Sequence, residues 1–493
     1  MASHEPSTTA SARELFIDGA WVRPESGSYG VVNPATEQII GEAPEASVAQ
    51  AQEAAAAARA ALRGWSRTPA GERAEILTRI ADLLEKRGDE LIPLVQAETG
   101  ATQRVASTMQ VPIAVERFRR YAREALAPNT IGLPPQVMPN TALAGAGLIG
   151  AVAVRQPVGV VACITPYNFP LVNMAGKVAP ALAMGNTVVI KPAPQDPLEI
   201  LAFADIAVEA GVPAGVVNII TGAGPQTGQA LVESPDVDMV SFTGSTSVGQ
   251  IIAEGAGRGM KRLLLELGGK GAAIVFEDAD IAAAVGGIGS TWSFHSGQIC
   301  TAPTRAIVHR SRYDEVVDKL AAYAQVCKVG DPLAADTVVG PVISATQRDR
   351  VEALIAAGKD AGAEVVAGGA RPDMERGYYV APTLLTAPGD DNPAAQDEFF
   401  GPVVTVLQFD DEDEAIAIAN GTSFGLYDYV WSADTVRGYR VANQLRTGMV
   451  GINTAQRNHE APFGGFKLSG VGRDGGTFGL HAYSEMQSIV WPT

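Results

Sequence analysis

Four short apolar runs decide the fold of this chain: Val158-Gly159-Val160-Val161, Thr187-Val188-Val189-Ile190, Val216-Val217-Asn218-Ile219-Ile220 and Val237 to Phe242. All four are rich in β-branched residues, and helix-like stretches such as Leu198 to Ala210 lie between them. Strands that alternate with helices indicate βαβ units around a buried parallel sheet. We therefore predict an α/β fold.

A second series of the same kind follows Gly271. Ala272 to Phe276, Ala306-Ile307-Val308 and Val403 to Phe409 have the composition of strands, and a helix is predicted over Tyr313 to Cys327. Two such series predict two α/β domains. 

The N-terminal region adds a strand pair and a helix. Leu15-Phe16-Ile17 and Trp21-Val22 flank the turn Asp18-Gly19, which favours a hairpin. The alanine-rich stretch Val48 to Leu62 predicts a helix by propensity.

Composition limits the possible functions. The chain has 493 residues, and a prior of about 150 residues per domain gives about three domains. Hydrophobic residues make up 46% and charged residues 18%, which excludes a disordered or coiled-coil chain. Lys and Arg number 37 against 54 Asp and Glu, so the net charge is −17. We predict no nucleic-acid partner, because such a partner needs a basic surface.

The spacing of cysteine and histidine argues against two kinds of site. Cys163, Cys300 and Cys327 lie far apart without a CxxC pair, so neither a disulfide framework nor a thiolate zinc site is expected. The five histidines have no metal-ligand spacing, and we predict no metal site.

No targeting or membrane segment is apparent. The stretch Met1 to Arg13 is polar and has no apolar run that could serve as a signal peptide. No apolar stretch reaches the roughly 20 residues that a membrane span needs. We predict a cytoplasmic protein without membrane contact.

A small turn between a strand and a helix is the first candidate binding motif. Gly244 to Gly249 follows the run Val240 to Thr243 and opens a helix at Gln250. Backbone N–H groups at such a helix start can bind a phosphate, and the same turn can equally serve only to pack the helix on the sheet. It is neither a Walker motif nor a GxGxxG motif.

Two residues are candidates for catalytic roles, one as a nucleophile and one as a general base. Cys300 follows Ser296-Gly297-Gln298-Ile299, and it is either an activated thiolate or an inert buried cysteine. Glu266 ends the run Leu263-Leu264-Leu265, and it is either a solvated strand end or a buried acid whose raised pKa suits a general base. These residues alone favour the inert cysteine and the solvated glutamate.

Seven short motifs occur in one order along the chain: Pro166-Tyr167-Asn168-Phe169-Pro170, Lys191-Pro192-Ala193, Phe242-Thr243-Gly244-Ser245-Thr246, Glu266-Leu267-Gly268-Gly269-Lys270, Gly297-Gln298-Ile299-Cys300, Glu398-Phe399-Phe400-Gly401-Pro402 and Pro462-Phe463-Gly464-Gly465-Phe466-Lys467. Any one of them is a weak signal. Together they resemble the hydrolytic, non-acylating branch of the NAD(P)+-dependent aldehyde dehydrogenase superfamily, from Leu15 nearly to Thr493.

The resemblance implies a three-part architecture. A Rossmann-like dinucleotide-binding domain is expected over residues 1–134 and 155–265, and a second α/β catalytic domain over 266–475. Residues 135–154 and 476–493 are expected to form a small β oligomerisation element, a hairpin and a strand, because exposed strand edges are stable when paired. A homodimer or homotetramer is implied.

The resemblance also implies oxidation of an aldehyde to the carboxylic acid with reduction of NAD(P)+. Cys300 is expected to attack the aldehyde carbon, forming first a thiohemiacetal and then a thioester. The Asn168 side-chain amide and the Cys300 backbone N–H would hold the oxyanion. Glu266 would activate the water that hydrolyses the thioester.

The resemblance implies that most residues of the cofactor site lie in or next to these motifs, and that Gly224 borders the adenine. The implied residues are Thr165, Pro166, Lys191, Gly224, Gly244, Ser245, Gly249, Glu398 and Phe400. In the family, the position of Lys191 reaches the adenosine ribose, that of Ser245 the pyrophosphate and that of Glu398 the nicotinamide ribose. Pro194 stands where many NAD-preferring relatives carry a ribose-binding glutamate, and no Arg or Lys lies beside it. We expect NAD+ and leave NADP+ open.

The residues implied to line the substrate tunnel are Phe169, Val172, Asn173, Gly176, Phe294, Ile299, Thr301, Arg457 and Phe463. Gly176 predicts a wide tunnel, and the phenyl rings predict a bulky apolar or aromatic aldehyde. Arg457 near the tunnel mouth could instead clamp the carboxylate of a semialdehyde. A surface position for Arg457 is the interpretation that its residue type favours.

Two alternatives to the hydrolytic enzyme, and the role of Asp474, remain open at the level of sequence. An acylating enzyme would pass the thioester to coenzyme A, but that branch usually lacks the base at Glu266. A catalytically silent scaffold of the same fold is disfavoured by the joint presence of Cys300, Asn168 and Glu266. Asp474 stands where the family has a second glutamate proposed as a proton relay, and its shorter side chain puts that role in doubt.

Overall fold

The computed structural model describes residues 14–492. The segment 1–13, for which the sequence predicts no signal peptide, and residue 493 lie outside the described residues. Within residues 14–492, no helix is both long enough and apolar enough to cross a membrane.

The strands of the described part are, in chain order, β1 Leu15–Ile17, β2 Ala20–Val22, β3 Ser28–Val32, β4 Ile39–Pro44, β5 Thr130–Met138, β6 Gly147–Pro157, β7 Val160–Ile164, β8 Thr187–Lys191, β9 Val217–Ile219, β10 Met239–Thr243, β11 Arg262–Glu266, β12 Ala272–Val275, β13 Arg305–His309, β14 Glu364–Ala367, β15 Thr383–Thr386, β16 Val403–Phe409, β17 Tyr427–Trp431, β18 Met449–Ile452, β19 Gly470–Val471 and β20 Ser484–Pro492.

The α-helices of the same part are α1 Val48–Trp65, α2 Ala70–Lys86, α3 Gly88–Thr99, α4 Gln103–Val105, α5 Val111–Glu124, α6 Pro170–Met184, α7 Leu198–Glu209, α8 Gln226–Glu233, α9 Thr246–Gly257, α10 Ile281–Ser293, α11 Tyr313–Val326, α12 Ala345–Asp360, α13 Pro393–Gln396, α14 Glu412–Asn420, α15 Thr435–Ala442 and α16 Gly476–Ala482.

The first sheet has the strand order β19-β11-β10-β7-β8-β9-β1-β2. Strands β7 to β11 are mutually parallel, and numbered along the chain they lie in the order 3-2-1-4-5. This is the order of a Rossmann-like sheet, in which ligands bind beyond the carboxyl ends of the strands where the order reverses. The reversal lies between β7 and β10. The α/β fold predicted from the apolar runs is therefore confirmed.

Helices cover both faces of this sheet. On one face, α2, α5, α6 and α7 bury large side chains such as Leu77, Phe118, Met174 and Phe203. On the other face, the predicted alanine-rich helix α1 packs closely because Ala51, Ala54, Ala55 and Ala58 are small and fully buried. The strands are apolar on both sides because both sides are covered.

The strand predicted over Val158 to Val161 begins two residues later than expected. Gly159 has φ 135, a backbone conformation that suits glycine. Its N–H donates to Oδ1 of Asn186 at 2.8 Å rather than to a neighbouring strand. The ladder of β7 therefore starts at Val160.

The second sheet has the order β14-β15-β16-β13-β12-β17-β18, in which only β14 is antiparallel to its neighbour. Its two faces bury separate clusters, one under α10 and α11 and the other under α14. The second predicted α/β series is thus a second parallel sheet. Strand β19 differs from the expected division, because it lies within residues 266–475 yet pairs with β11 of the first sheet.

The third sheet is small, with the order β20-β6-β5. Its hairpin, β5 and β6, extends beyond the expected residues 135–154 at both ends. Val137, Ile489, Val490 and Trp491 are exposed on these strands. An apolar, open-edged sheet of this kind is a surface that proteins usually cover.

Asn186 ties the first sheet to the C-terminal region. Its Nδ2 donates to the carbonyls of Ala181 at 3.0 Å and Tyr483 at 2.9 Å, and its Oδ1 accepts from Gly159. The side chain is fully buried. Three hydrogen bonds therefore join the end of α6, the start of β7 and the residue before β20.

We predict that Asn186→Ala lowers the free energy of unfolding by about 3 kcal/mol, because each buried group left unpaired costs about 1–3 kcal/mol. The measurement is the urea or thermal unfolding midpoint followed by circular dichroism. The control is Asn443→Ala, which removes one exposed bond to the carbonyl of Tyr439 and is expected to cost under about 0.5 kcal/mol. Equal losses in both variants would contradict the prediction.

Candidate active site

Cys300 lies between a 3₁₀ turn, Phe294–Gly297, and β13. The turn is unusual because His295, Ser296 and Gly297 all have positive φ, at 48, 56 and 70. A Cβ at Gly297 would overlap the carbonyl of Gly401, so only glycine fits there. The buried Ser296 donates through Oγ to the carbonyl of Gly340 at 2.8 Å, which holds the turn. This strained turn fixes the direction in which the chain approaches Cys300.

The environment of Cys300 opposes ionisation of its thiol. Burial raises its pKa to about 12, and the negative charges of Glu266 and Glu398 add to the effect. The guanidinium of Arg457 acts in the opposite direction. Cys163 and Cys327 are also free cysteines, and both are buried, as the sequence led us to expect.

Asn168 follows β7 and is held close to the cysteine segment. Its Nδ2 donates to the carbonyl of Gln298 at 2.8 Å, and its Oδ1 accepts from the N–H of Phe169 at 3.0 Å. The side chain is buried, with 5% exposure. A primary amide has two N–H groups, so one remains to donate to another acceptor.

Glu266 ends β11 and is buried, with 4% exposure. The favoured expectation of a solvated strand end is therefore wrong. The reason is a distant loop: Gly470 pairs with Glu266 through β19, and a Cβ at Gly464 would lie 2.9 Å from Oε1 of the glutamate. Glycines let this loop cover the carboxyl group.

The charge state of Glu266 follows from that burial. Burial raises its pKa well above the usual value, Asp474 raises it further, and Lys177, Arg473 and Arg117 lower it. Neither carboxyl oxygen has a hydrogen-bond partner among residues 14–492. A buried carboxyl group with a raised pKa and free oxygens has the properties of a general base.

The turn that follows Glu266 contacts the segments of both Cys300 and Glu398. After Glu266, a Cβ at Gly269 would overlap the carbonyl of Cys300, and a Cβ at Gly268 would overlap Oε2 of Glu398. The N–H of Gly269 donates to Oε1 of Glu398 at 2.9 Å. Burial raises the pKa of Glu398 to about 7. The two glycines that follow Glu266 thus contact the backbone carbonyl of Cys300 and the carboxyl group of Glu398.

The positions expected to bind the cofactor gather at the reversal point of the first sheet. Thr165 and Pro166 follow β7, Lys191 ends β8, and Gly244 and Ser245 follow β10. Because these are the carboxyl ends of neighbouring parallel strands, the residues meet at one edge of the sheet.

Their chemistry fits a dinucleotide. Oγ of Ser245 caps α9 by accepting from the N–H of Val248 at 3.4 Å, at a helix start suited to a phosphate. Nζ of Lys191 donates to the carbonyls of Pro192 at 3.2 Å and Gly222 at 3.4 Å, and burial lowers its pKa to about 8. Oγ1 of Thr165 is buried without a hydrogen-bond partner in the described part.

The glycines at this edge also have packing roles. A Cβ at Gly249 would lie 2.5 Å from Cδ2 of Leu267, and one at Gly244 would overlap the ring of Phe242. A Cβ at Gly224 would overlap Oε1 of Gln226. The close approach at Gly249 is therefore made by the protein's own Leu267, which packs α9 against the end of β11.

Phe400, at the second sheet, has φ 50, and its ring contacts Tyr167 edge-on at 5.9 Å.

Several residues expected in the substrate tunnel lie at α6 or on the 3₁₀ turn that precedes Cys300. The rings of Phe169 and Phe294 stack at 6.5 Å with an interplanar angle of 16°. Val172 is buried on α6, and Asn173 donates through Nδ2 to the carbonyl of Phe169 at 2.9 Å. 

The two neighbours of Cys300 differ in exposure. Ile299 is half-buried, whereas Thr301 is buried and accepts through its carbonyl from the Tyr429 hydroxyl at 2.8 Å.

Gly176 does not widen the tunnel, contrary to expectation. The space beside it is filled by the guanidinium of Arg117 from α5, and a Cβ at Gly176 would overlap Nη1 and lie 2.9 Å from Cζ. Arg117 could not be assigned to the site from sequence, because it lies far from every motif. The only sequence signal was the glycine itself, whose missing side chain leaves room for another residue.

Arg457 is also not a simple surface residue. It is half-buried, and its Cζ lies 4.9 Å from the centre of the Phe463 ring. It lines a cavity of about 170 Å³ together with Arg117, Tyr121, Met449 and Phe463. A guanidinium over an aromatic ring is a favourable contact that also holds its direction.

Asp474 lies between this cavity and Glu266. Its carboxylate is 3.6 Å from Nη1 of Arg117, and its backbone exchanges two hydrogen bonds with Phe463, at 2.7 and 2.6 Å. Among residues 14–492, no group of three or more His, Cys, Asp or Glu side chains is arranged to hold a metal ion.

Comparisons with known proteins show which family this sequence matches. A model of the aldehyde dehydrogenase family matches residues 21–489. A 3-succinoylsemialdehyde-pyridine dehydrogenase from a Pseudomonas species is 39% identical over 485 residues, covering 97% of this chain and 98% of that protein. Geranial dehydrogenase from Castellaniella defragrans is 39% identical over 484 residues, covering 98% and 99%.

A solved structure is similar over the same length. A cysteine-to-alanine variant of aldehyde dehydrogenase C from Pseudomonas syringae, in complex with NAD+ and octanal, has a TM-score of 0.91 and 40% identity, covering 97% of this chain and 96% of that chain. That enzyme and this chain therefore share the complete fold.

We predict that iodoacetamide alkylates Cys300 about tenfold faster for each pH unit between 7 and 10 in the protein without ligands. A thiol with a pKa of about 12 is protonated throughout that range, so its thiolate fraction keeps rising with pH. Mass spectrometry of the Cys300 peptide gives the rate, with free cysteine (pKa about 8.5) as the reference that levels off. Levelling off of the Cys300 rate below pH 9 would contradict the prediction.

Proposed function

The chain belongs to the aldehyde dehydrogenase family, and on that premise we propose that it oxidises an aldehyde to the carboxylic acid, with NAD+ as hydride acceptor, through a thiohemiacetal and a thioester on Cys300. One observation carries the proposal. The segment of Cys300 is bound from two sides: Asn168 Nδ2 donates to the carbonyl of Gln298, and Gly269, three residues after the buried Glu266, packs against the carbonyl of Cys300. Glu266 is also near enough for its charge to raise the pKa of the Cys300 thiol.

The first step is addition of the Cys300 sulfur to the aldehyde carbon. The thiol proton passes to solvent, the S–C bond forms, and the carbonyl π electrons move to oxygen. The half-buried positive charge of Arg457 favours the thiolate over the thiol. The free N–H of Asn168 and the backbone N–H of Cys300 would donate to the oxygen, where preorganised donors are worth several kcal/mol.

The second step makes and breaks the thioester. Bound NAD+ accepts the hydride from the former aldehyde carbon. The oxyanion electrons then restore the C=O bond of the thioester. Glu266, as a carboxylate, takes a proton from water whose oxygen attacks the thioester carbon, and the C–S bond breaks to release the acid and the thiolate.

The proposal of NAD+ is supported by residues of both large sheets. Lys191 and Ser245, at the first sheet, supply a cation and a capped helix start, and Glu398, before β16 of the second sheet, supplies a carboxyl group. Pro194 provides no carboxylate against a 2′-phosphate, and no cation beside it attracts one. NAD+ is therefore proposed as the main coenzyme, and NADP+ is the second one to assay.

We propose a bulky apolar or aromatic aldehyde as the substrate. The stacked rings of Phe169 and Phe294 and the ring of Phe463 offer an apolar wall near Cys300. Two of the similar proteins have names or ligands of this kind, geranial and octanal.

A semialdehyde is the second candidate, and Arg457 favours it. The guanidinium is half-buried, lies on Phe463 and has no carboxylate partner within residues 14–492. A charged group in this state gains from an anion supplied by the substrate.

We also propose a homodimer or homotetramer built through the third sheet. The exposed side chains of Val137, Ile489, Val490 and Trp491 give β5 and β20 an apolar surface with open edges. Pairing with a second copy would cover both.

The test of the proposed function is NADH formation, followed by absorbance, with a panel of aromatic, terpenoid, aliphatic and carboxylated aldehydes. We predict acid formation without coenzyme A and no measurable turnover by Cys300→Ala, whose NAD+ affinity stays within about twofold. Substantial turnover by that variant would remove Cys300 from the mechanism. A strict need for coenzyme A would indicate the acylating reaction, and no reduction with any aldehyde would indicate a silent scaffold.

We predict that Glu266→Gln keeps the pre-steady-state burst of NADH but slows turnover about 100-fold or more, because loss of a general base costs about 10²–10⁴. Burial raises the pKa of Glu266, so the wild-type rate should rise with pH as the carboxylate forms. The variant should lack that rise. Loss of the burst itself would mean that Glu266 acts earlier, on the thiol.

A further inference from the structure

Arg117 occupies a position that only a glycine at 176 allows. It extends from α5 across α6, and any side chain at 176 would collide with its guanidinium. Nη1 donates to the carbonyl of Val172 at 3.1 Å and lies 3.6 Å from the carboxylate of Asp474. The second distance is too long for a hydrogen bond, so Asp474 is a charge partner but leaves donors free.

The free donors of Arg117 are at the wall of the 170 Å³ cavity. A guanidinium has five N–H groups, and only Nη1 has a hydrogen-bond partner among the described residues. The side chain is 24% exposed, so the donors are neither sealed in protein nor fully in water. A partly desolvated guanidinium binds an anion more strongly than an exposed one.

The other charges of this cavity are mostly paired. Arg120 pairs with Glu124 at 3.3 Å and also with Glu460. Glu116 pairs with Arg123 at 3.3 Å. Arg457 is the second cation without a hydrogen-bonded carboxylate, as described above. Arg117, whose carboxylate neighbour Asp474 lies 3.6 Å away, and Arg457 are therefore the two arginines of the cavity without a hydrogen-bonded carboxylate.

We propose that Arg117 and Arg457 together form a subsite for a carboxylate at the far end of the aldehyde substrate. This inference rests on the proposed function and selects the acidic aldehydes within it. Phe463 supports the guanidinium of Arg457, and its backbone is hydrogen-bonded to Asp474, the charge partner of Arg117. The backbone pairing of Phe463 with Asp474 thus holds the contact partners of both arginines. Arg117 is a specificity-determining residue, and Gly176 is the residue that admits it.

The experiment compares paired aldehydes that differ in the distal group: 4-carboxybenzaldehyde with 4-methylbenzaldehyde, and succinic semialdehyde with pentanal. The readout is the ratio of kcat/KM for the acid to that for its neutral partner. Arg117→Met should lower this ratio about tenfold or more, mainly through KM, because one charge-assisted hydrogen bond is worth about 1.5–3 kcal/mol. The ratio is used because loss of Arg117 also changes the charge near Glu266.

Gly176→Ala provides an independent variant that keeps the arginine. The new methyl group displaces the guanidinium, so the same ratio should fall about tenfold while Arg117 is still present. Arg119→Met is the matched control on α5. Arg119 pairs with Asp82 at 3.1 Å and Glu85 at 2.6 Å away from the cavity, and its loss should change the ratio less than twofold.

The outcomes separate the subsite from the reaction. Equal losses for acids and neutral aldehydes in Arg117→Met would give it a positioning role only and overturn the subsite. An unchanged ratio in both Arg117→Met and Gly176→Ala would overturn it as well. If Arg117→Met does not fold, as judged by its unfolding midpoint, Gly176→Ala and Arg117→Lys decide. A wild type that oxidises neither member of any pair would instead refute the proposed function.

Discussion

The short turn Glu266–Lys270 is the constraint on which this site depends. It ends the last parallel strand of one sheet and leads into the first strand of the other, so it crosses between the two sheets. Its two glycines let it contact the Cys300 carbonyl and both oxygens of Glu398. Any side chain at Gly268 or Gly269 would push these groups apart. The carboxyl edge of the first sheet and the amino edge of the second meet here.

Burial in this crevice acts on several ionisable groups in the same direction. It raises the pKa of Cys300 to about 12, that of Glu398 to about 7 and that of Glu266 well above its usual value. Each acid is therefore less ionised than it would be in water. Positive charges at Lys177, Arg117 and Arg457 oppose the shift. The balance between desolvation and these cations determines the pH at which the Cys300 thiol and the Glu266 carboxyl group ionise.

Local sequence patterns predicted the fold and the motif residues. The burial of individual side chains depends on contacts between distant segments, which the sequence does not reveal. Runs of β-branched residues predict β7 to β10, because the apolar composition of a buried strand is visible within one short segment. Glu266 appeared solvated because the loop that covers it lies some two hundred positions later, at Gly464 and Gly470. Gly176 appeared to open space because its occupant, Arg117, belongs to another helix. Arg457 is half-buried rather than exposed because residues of α5 line the cavity beside it.

The stretch 474–492 links two parts of the molecule described separately. It starts at Asp474, continues through α16 and ends as β20 in the outer sheet. Helix α16 has seven residues, and a Cβ at Gly479 would lie 3.0 Å from Oδ1 of Asp474. The carboxylate whose charge raises the pKa of Glu266 and the edge strand of the third sheet therefore belong to one continuous stretch of chain, separated by a single short helix.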